Sequence, residues 1–397
     1  MKILFALLAC LLASPAFALD WEGVFEGTLG KSKIIVELNA GAETSAYKGG
    51  DVETSRYSYF PKPYDLNLIR SGAGETLTFT ELNTRRWETE PLEVGDPRIT
   101  GTWTLVVDDT GGKGTWKSPD GKKMLPISLR RVGLSVQKDQ NPLSYTYNQV
   151  WLKGVGFIDS TSSPRFGGID LRYETDQAFG IAYPVLERFP DTDRKALVNA
   201  VLRQLHRDAV MNYRDCKNNV AVEYRPTNPE PEIAFDVKYA SSTVLSIEES
   251  GSLDCGGAHP ANYVNPMTFD LVNQRQIGGS SRLDLSTDAM GMVFKLASKE
   301  ERLAFERFTW GAWMANAATF KEDEAGCMTG GFENEKPEGE RDFSLSFVAK
   351  GLAVRRTDFP SVSAVCLWQD FNPTIIPWAE LKPLLKPGQT LLVDEVK

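Results

Sequence analysis

Between Trp21 and Val132 apolar and polar residues alternate in short runs separated by Gly, Pro, Asn and Asp. Ile34-Ile35-Val36-Glu37-Leu38 and Thr76-Leu77-Thr78-Phe79-Thr80 show the pattern. Period two places one face of each run in a core and the other in water. The pattern predicts strands over 23–29, 33–38, 56–60, 64–69, 76–81, 99–107, 112–117 and 124–130. Sequential antiparallel strands with no helix of useful length imply a meander. Closing it into a small barrel removes the exposed edges. Gly23, Gly27, Gly101 and Gly114 permit the tight bends that closure needs.

The pattern then weakens. Residues 133–170 read as a connector with turn clusters at 137–142 and 160–164 and a strand at 148–153. A second domain is expected over 171–397. It opens with a strand at 180–186, and Asp191 then starts a helix to about Asn218. Leu197, Val201, Leu205 and Ala209, with Val198 and Leu202 beside them, form an apolar stripe at helical spacing. Strands return at 220–225, 232–239, 244–252 and 265–270. Ser298 and Glu301 make a capping box ahead of Leu303, Phe308 and Trp313, which predicts a second helix. Strands at 342–348 and 352–357 and a short helix at 378–384 follow. Helices mixed with hairpin-like strands indicate an α+β domain. The fold class is therefore multi-domain, an N-terminal all-β antiparallel meander barrel (19–132) followed by an α+β domain with two main helices.

The chain of 397 residues is too long for one ordinary core. Its hydrophobic fraction of 42% excludes a disordered chain, and its mean hydropathy of −0.28 excludes a polytopic membrane protein. A net charge of −9 argues against a nucleic-acid partner, because phosphate binding needs a basic surface. Residues 1–18 read as a cleavable secretory signal: Lys2, an apolar run from Ile3 to Leu12, and small residues before the expected cut after Ala18. That run is too short to span a bilayer, and the mature chain is expected to have no transmembrane segment. A lipoprotein reading at Cys10 would leave an apolar region shorter than usual. Cleavage removes Lys2 and no acid, so the mature charge falls by one unit to −10. A periplasmic address is expected.

Cleavage also removes Cys10 and leaves Cys216, Cys255, Cys327 and Cys366. An even number of thiols in an exported chain reads as disulfides. The pairing Cys216–Cys255 with Cys327–Cys366 is favoured because sequence neighbours tend to be spatial neighbours. A zinc site using Cys255 and His259 is the alternative, but the spacing fits no standard pattern.

In the second domain, Gly180-Ile181-Ala182-Tyr183-Pro184 is followed by Val244-Leu245-Ser246-Ile247, Cys255-Gly256-Gly257-Ala258-His259 and Phe269-Asp270-Leu271. Gly351-Leu352-Ala353-Val354 and Ile376-Pro377-Trp378-Ala379-Glu380-Leu381 come later. In this order they resemble the RsiV-type domain of unknown function, the extracytoplasmic domain of lysozyme-sensing anti-sigma proteins and of some peptidoglycan-deacetylase-associated proteins. The resemblance implies a binding module for lysozyme-like hydrolases or wall fragments. Pro260 stands where the family usually has glycine, and the sequence contains neither the membrane helix nor the sigma-binding segment of an anti-sigma protein. The N-terminal strands are similar to calycin-type barrels in pattern.

The candidate binding residues are Asp254, Gly256, Gly257 and His259. His259 follows two glycines that let the backbone approach a ligand; its ring could equally lock a turn by hydrogen bonds. Ser252, Asp254 and His259 could be drawn as a triad, but no Gly-x-Ser-x-Gly elbow activates a serine. No catalytic residue, metal or cofactor is assigned. His206, among Arg203 and Arg207, is expected at a solvated or rim position. Glu322-Asp323-Glu324 with Glu333, Glu335, Glu338 and Glu340 reads as a solvated acidic loop or a docking surface for a basic protein such as lysozyme. Trp21, Phe25, Tyr57, Tyr59, Phe79, Trp103 and Trp116 fill the barrel, or line a ligand pocket if it is hollow. The expected function is an exported, non-catalytic binding protein of the cell envelope. The alternatives are a small-ligand carrier through the barrel and a wall hydrolase using His259.

Overall fold

The computed structural model describes residues 21–39, 55–60, 62–72, 76–83, 95–133, 145–159, 165–166, 168–220, 232–255, 261–273, 275–277, 293–317, 343–356 and 373–388. The chain divides into two compact units, 1–156 with 217–225 and 157–216 with 226–397.

In the first unit eight strands form a closed antiparallel barrel in sequence order. They are β1 (Gly23–Leu29), β2 (Ser32–Leu38), β3 (Ser55–Tyr59), β4 (Leu66–Gly72), β5 (Leu77–Leu82), β6 (Ile99–Val107), β7 (Gly111–Lys117) and β8 (Met124–Gly133). β1 pairs with both β2 and β8, which closes the sheet. Alternation sends Phe25, Val36, Tyr57, Phe79, Trp103 and Leu105 inward, where each is fully buried. Burying a large apolar side chain contributes roughly 1.5–3 kcal/mol, so this interior is the unit's main stabilising feature. One carboxylate enters it. Glu81 accepts hydrogen bonds from Tyr57 Oη at 2.9 Å, Trp103 Nε1 at 2.6 Å and Thr100 Oγ1 at 2.7 Å. Gly101 is required beside this cluster, since a Cβ there would lie 2.1 Å from Trp116 Nε1.

Residues 145–154 form a helix, α1 (Tyr145–Gly154), where the sequence pattern predicts a strand at 148–153. The aromatic and β-branched run Tyr147, Val150 and Trp151 suits a strand locally. At helical spacing the same three side chains are buried together, and that burial decides the state.

The second unit holds three antiparallel sheets. β11 (Ile169–Asp176) pairs with β12 (Ala182–Arg188), β9 (Phe157–Asp159) and β10 (Arg165–Phe166). The long helix α2 (Thr192–Asn218) follows, with Asp191 accepting the Arg194 N–H at its start. Its apolar stripe is rotated from the expected one. Leu197 and Val201 are exposed, whereas Val198, Leu202, His206, Val210 and Tyr213 are buried. The helix offers two adjacent stripes, and packing chose the one carrying the histidine and tyrosine.

β13 (Ile233–Ala240), β14 (Val244–Leu253), β15 (Ala261–Asp270) and β16 (Arg275–Ile277) make a meander, and β17 (Phe343–Val348), β18 (Gly351–Arg356) and β19 (Thr374–Pro377) the last sheet. Between them lies α3 (Lys299–Ala317), opened by a reciprocal capping box. Ser298 Oγ accepts the Glu301 N–H at 3.1 Å, and Glu301 accepts the Ser298 N–H at 3.0 Å. After β19 come α4 (Trp378–Leu381) and a 3-10 turn. Val244, Phe294, Phe305, Phe347, Leu352 and Trp378 share one core. Glu248 on β14 is buried with Lys238 Nζ at 3.0 Å and Arg355 of β18 against it, so its charge is neutralised where water cannot reach. Among the described residues no helix is long and apolar enough to cross a membrane. The strand expected at 220–225 lies almost entirely outside the described residues.

Candidate functional site

The outer wall of the barrel carries a groove. Outward-facing Glu37 on β2 and Arg56 on β3 are buried, because α1 covers them. Arg56 Nε donates to Glu37 at 2.7 Å, and its Nη1 donates to Asp65 at 3.2 Å. Tyr147 of α1 donates its hydroxyl to Asp65 at 2.8 Å, and its ring lies 4.2 Å from the Arg56 guanidinium. Trp151 Nε1 donates to the Lys62 carbonyl at 3.2 Å. These bonds hold α1 at a fixed position on the wall. At its end Gly154 permits Phe60 to stand against the helix, since a Cβ at 154 would lie 1.8 Å from Phe60 Cε1.

Beyond that contact, α1 and strands β1, β2 and β8 enclose an open groove of about 710 Å³. Its apolar lining includes Ile34, Phe60, Leu129 and Val150; Thr28 and Ser128 add hydroxyls. Its charged groups are Lys33, Arg130 and Lys153 against Glu26. Glu26 and Arg130 pair at 2.7 Å. Lys33 and Lys153 have no carboxylate within ion-pair reach among the described residues, so the groove has an excess of positive charge in a chain of net −9. It can hold an anionic group beside an apolar one. Sequence reasoning missed it, because its walls come from segments more than a hundred residues apart. Lys33 on β2 and Arg130 on β8 flank β1 from opposite sides, so nothing local in the sequence brings them together.

The barrel aromatics act as core. Phe25, Tyr57, Phe79 and Trp103 are fully buried, and Trp21, Tyr59 and Trp116 pack partly buried against the same cluster. Burial and the neighbouring Glu81 push the Tyr57 hydroxyl far above the usual phenol range, so it stays a donor.

In the second unit, Cys216 at the end of α2 is bonded to Cys255 just beyond β14, with Cα atoms 4.5 Å apart. The Cys216–Cys255 half of the favoured pairing is present, and the zinc reading of Cys255 is overturned because its sulfur is already bonded. Asp254 is exposed beside this bridge. Gly256, Gly257, His259, Cys327, Cys366 and the acidic loop lie outside the described residues.

His206 contradicts its expected solvated position: it is 1% exposed. Its ring stacks on Tyr183 at 5.5 Å, Phe157 meets it edge-on, and Nε2 donates to the Ile181 carbonyl at 2.9 Å. Burial pushes its pKa down to about 4, against the opposing pull of that carbonyl and of Glu174. Glu174 itself is held below the usual carboxylate range by Arg203, which binds it at 2.6 Å. This histidine fills a core position. Packing against a sheet face is what the helical stripe alone did not reveal.

The geometry defines a barrel with an external groove and an α+β unit stapled by a disulfide. No protein-family model matches the sequence, and no curated protein matches it. Solved structures do: one is the crystal structure of a member of the DUF3298 family from Bacteroides fragilis, 14% identical, aligned over 61% of this chain and 96% of that one. Its TM-score of 0.33 is too low to assign a fold or a role to this chain.

Proposed function

We propose that this chain is an exported, non-catalytic binding protein of the bacterial cell envelope, and that the groove beside α1 holds a small anionic ligand of the peptidoglycan-fragment class. The observation that carries this reading is the groove's excess of cations, Lys33, Arg130 and Lys153 against Glu26, over an apolar floor. Its 710 Å³ is within the usual range for small-ligand sites. A fragment with a carboxylate, amides and a sugar ring matches that mixture, whereas a neutral apolar ligand would leave the lysines unused. The signal-like N-terminus and the disulfide support the address.

Calorimetric titration of the full chain with a muramyl dipeptide and with its uncharged amide tests the ligand class. The anionic form binds and the amide binds at least tenfold more weakly. Lys33→Glu with Lys153→Glu weakens the anionic form by a similar factor. No heat or shift at millimolar probe, or equal binding of the two forms, sinks the reading.

A second reading has its own support. The RsiV-type pattern, the net charge and the exposed Asp236 on β13 and Asp254 just beyond β14 suit docking of a basic envelope protein such as a lysozyme. Absence of a complex with lysozyme at low salt removes it.

A further inference from the structure

We propose that the barrel rim formed by the β1–β2 and β7–β8 turns is a docking surface for an anionic lipid bilayer. β1 and β8 are hydrogen-bonded neighbours, so their turns sit side by side, and the Gly30 N–H donates to the Pro126 carbonyl at 2.8 Å. This rim gathers Lys31 and Lys33 from the β1–β2 hairpin and Lys117, Lys122 and Lys123 from the β7–β8 hairpin, all exposed. The one acid of the β7–β8 turn, Asp120, is tied into it. Its carboxylate accepts from Ser118 Oγ at 2.6 Å and from the Lys122 N–H at 3.1 Å. Asp120 also lies 3.6 Å from Lys122 Nζ, so the rim carries five lysines against one carboxylate and is net positive in a chain of net −9.

Met124 narrows the partner to lipid. It is the most exposed large apolar side chain among the described residues, at 63%, and it pairs across the hairpin with Lys117. A soluble polyanion would engage the lysines and leave this thioether in water. A bilayer takes both at once, ammonium groups at the phosphate level and the methionine just below it. The negative charge elsewhere on the chain repels such a surface, which orients the approach through this rim.

The test is flotation of the full, oxidised chain with vesicles of phosphatidylglycerol and phosphatidylcholine in equal parts, and with phosphatidylcholine alone. Binding is expected only to the anionic vesicles, at about 0.05 M salt, and is expected to fall away by about 0.3 M as screening shortens the range. Replacing Lys117, Lys122 and Lys123 by Gln lowers partition roughly a hundredfold, at about fivefold per lysine removed. Met124→Ser lowers it several-fold at unchanged charge. Lys299→Glu in α3 leaves it unchanged. All these side chains are exposed, and unaltered melting of each variant shows that the fold is intact. Equal binding to both vesicles, no binding at low salt, or wild-type flotation of the triple variant overturns the proposal. So does tight binding to soluble polyglutamate that ignores Met124→Ser, which would name a polymer as the partner.

Discussion

Replacing His206 by Gln tests how the second unit is built. The imidazole is buried against Tyr183 and Phe157, and its pKa falls to about 4. An unfolded chain titrates histidine near 6.5. Below that pH the unfolded state takes up a proton that the folded state refuses, so stability is full above about pH 6.5 and declines as pH falls toward 4. At pH 5 the decline attributable to this one group is about 2 kcal/mol relative to pH 7.5. Carboxylates titrate over the same window. Burial raises the pKa of Asp176, Asp208 and Glu306, and Arg203 lowers that of Glu174. A variant is therefore needed to isolate the histidine. Gln keeps an N–H for the Ile181 carbonyl but carries no titrating ring. Urea unfolding of the second unit at pH 7.5 and pH 5.0, followed by Trp310 and Trp313 fluorescence, should show the wild type losing about 2 kcal/mol more than the variant. The chain has only two histidines, so proton NMR of the imidazoles reads the pKa directly, with His259→Gln assigning the pair. An identical pH slope in wild type and variant, or a measured His206 pKa near 6.5, refutes the account of burial.

Two further outcomes test other parts of the molecule. Gly154→Ala places a Cβ 1.8 Å from Phe60 Cε1 and should lower the first unit's stability by about 1–3 kcal/mol. Phe60→Ala in the same chain should recover part of that loss, and a melting curve for each variant decides it. Removing the Cys216–Cys255 bridge by paired serine substitutions should cost about 2–4 kcal/mol in the second unit. Unfolding midpoints measured with and without reductant check this, since the paired variant should ignore the reductant at that site.

The barrel was legible almost residue by residue. The runs 23–29 and 99–107 coincide with β1 and β6, because period-two alternation and glycine or proline punctuation are local properties of strands facing a core. The capping box at Ser298 was equally readable, because both of its bonds lie within four residues. The bridge between Cys216 and Cys255 followed from chain proximity and the expectation of an oxidising compartment. What failed depended on a partner surface. The segment around Trp151 has strand-like residues, and only the barrel wall beneath it makes the helical arrangement the one that buries them. Along α2, the stripe through Leu197 and Val201 and the one through Val198 and Leu202 differ by about 100° in direction, and hydrophobicity alone ranks them equally. The sheet against which the helix packs chose the second, and carried His206 into the core with it.

The amino-acid order by itself determined the barrel's strand positions, the starts of α2 and α3, the net charge and the Cys216–Cys255 bridge, since each is set by a residue and its near neighbours. Tertiary structure alone decided which face is inside, how a histidine's pKa is displaced, and that Lys33, Arg130 and Lys153 converge on one groove. Those properties depend on distances between groups remote in the chain, set in the first unit by closure of the barrel and docking of α1 and in the second by packing of α2 on its sheet.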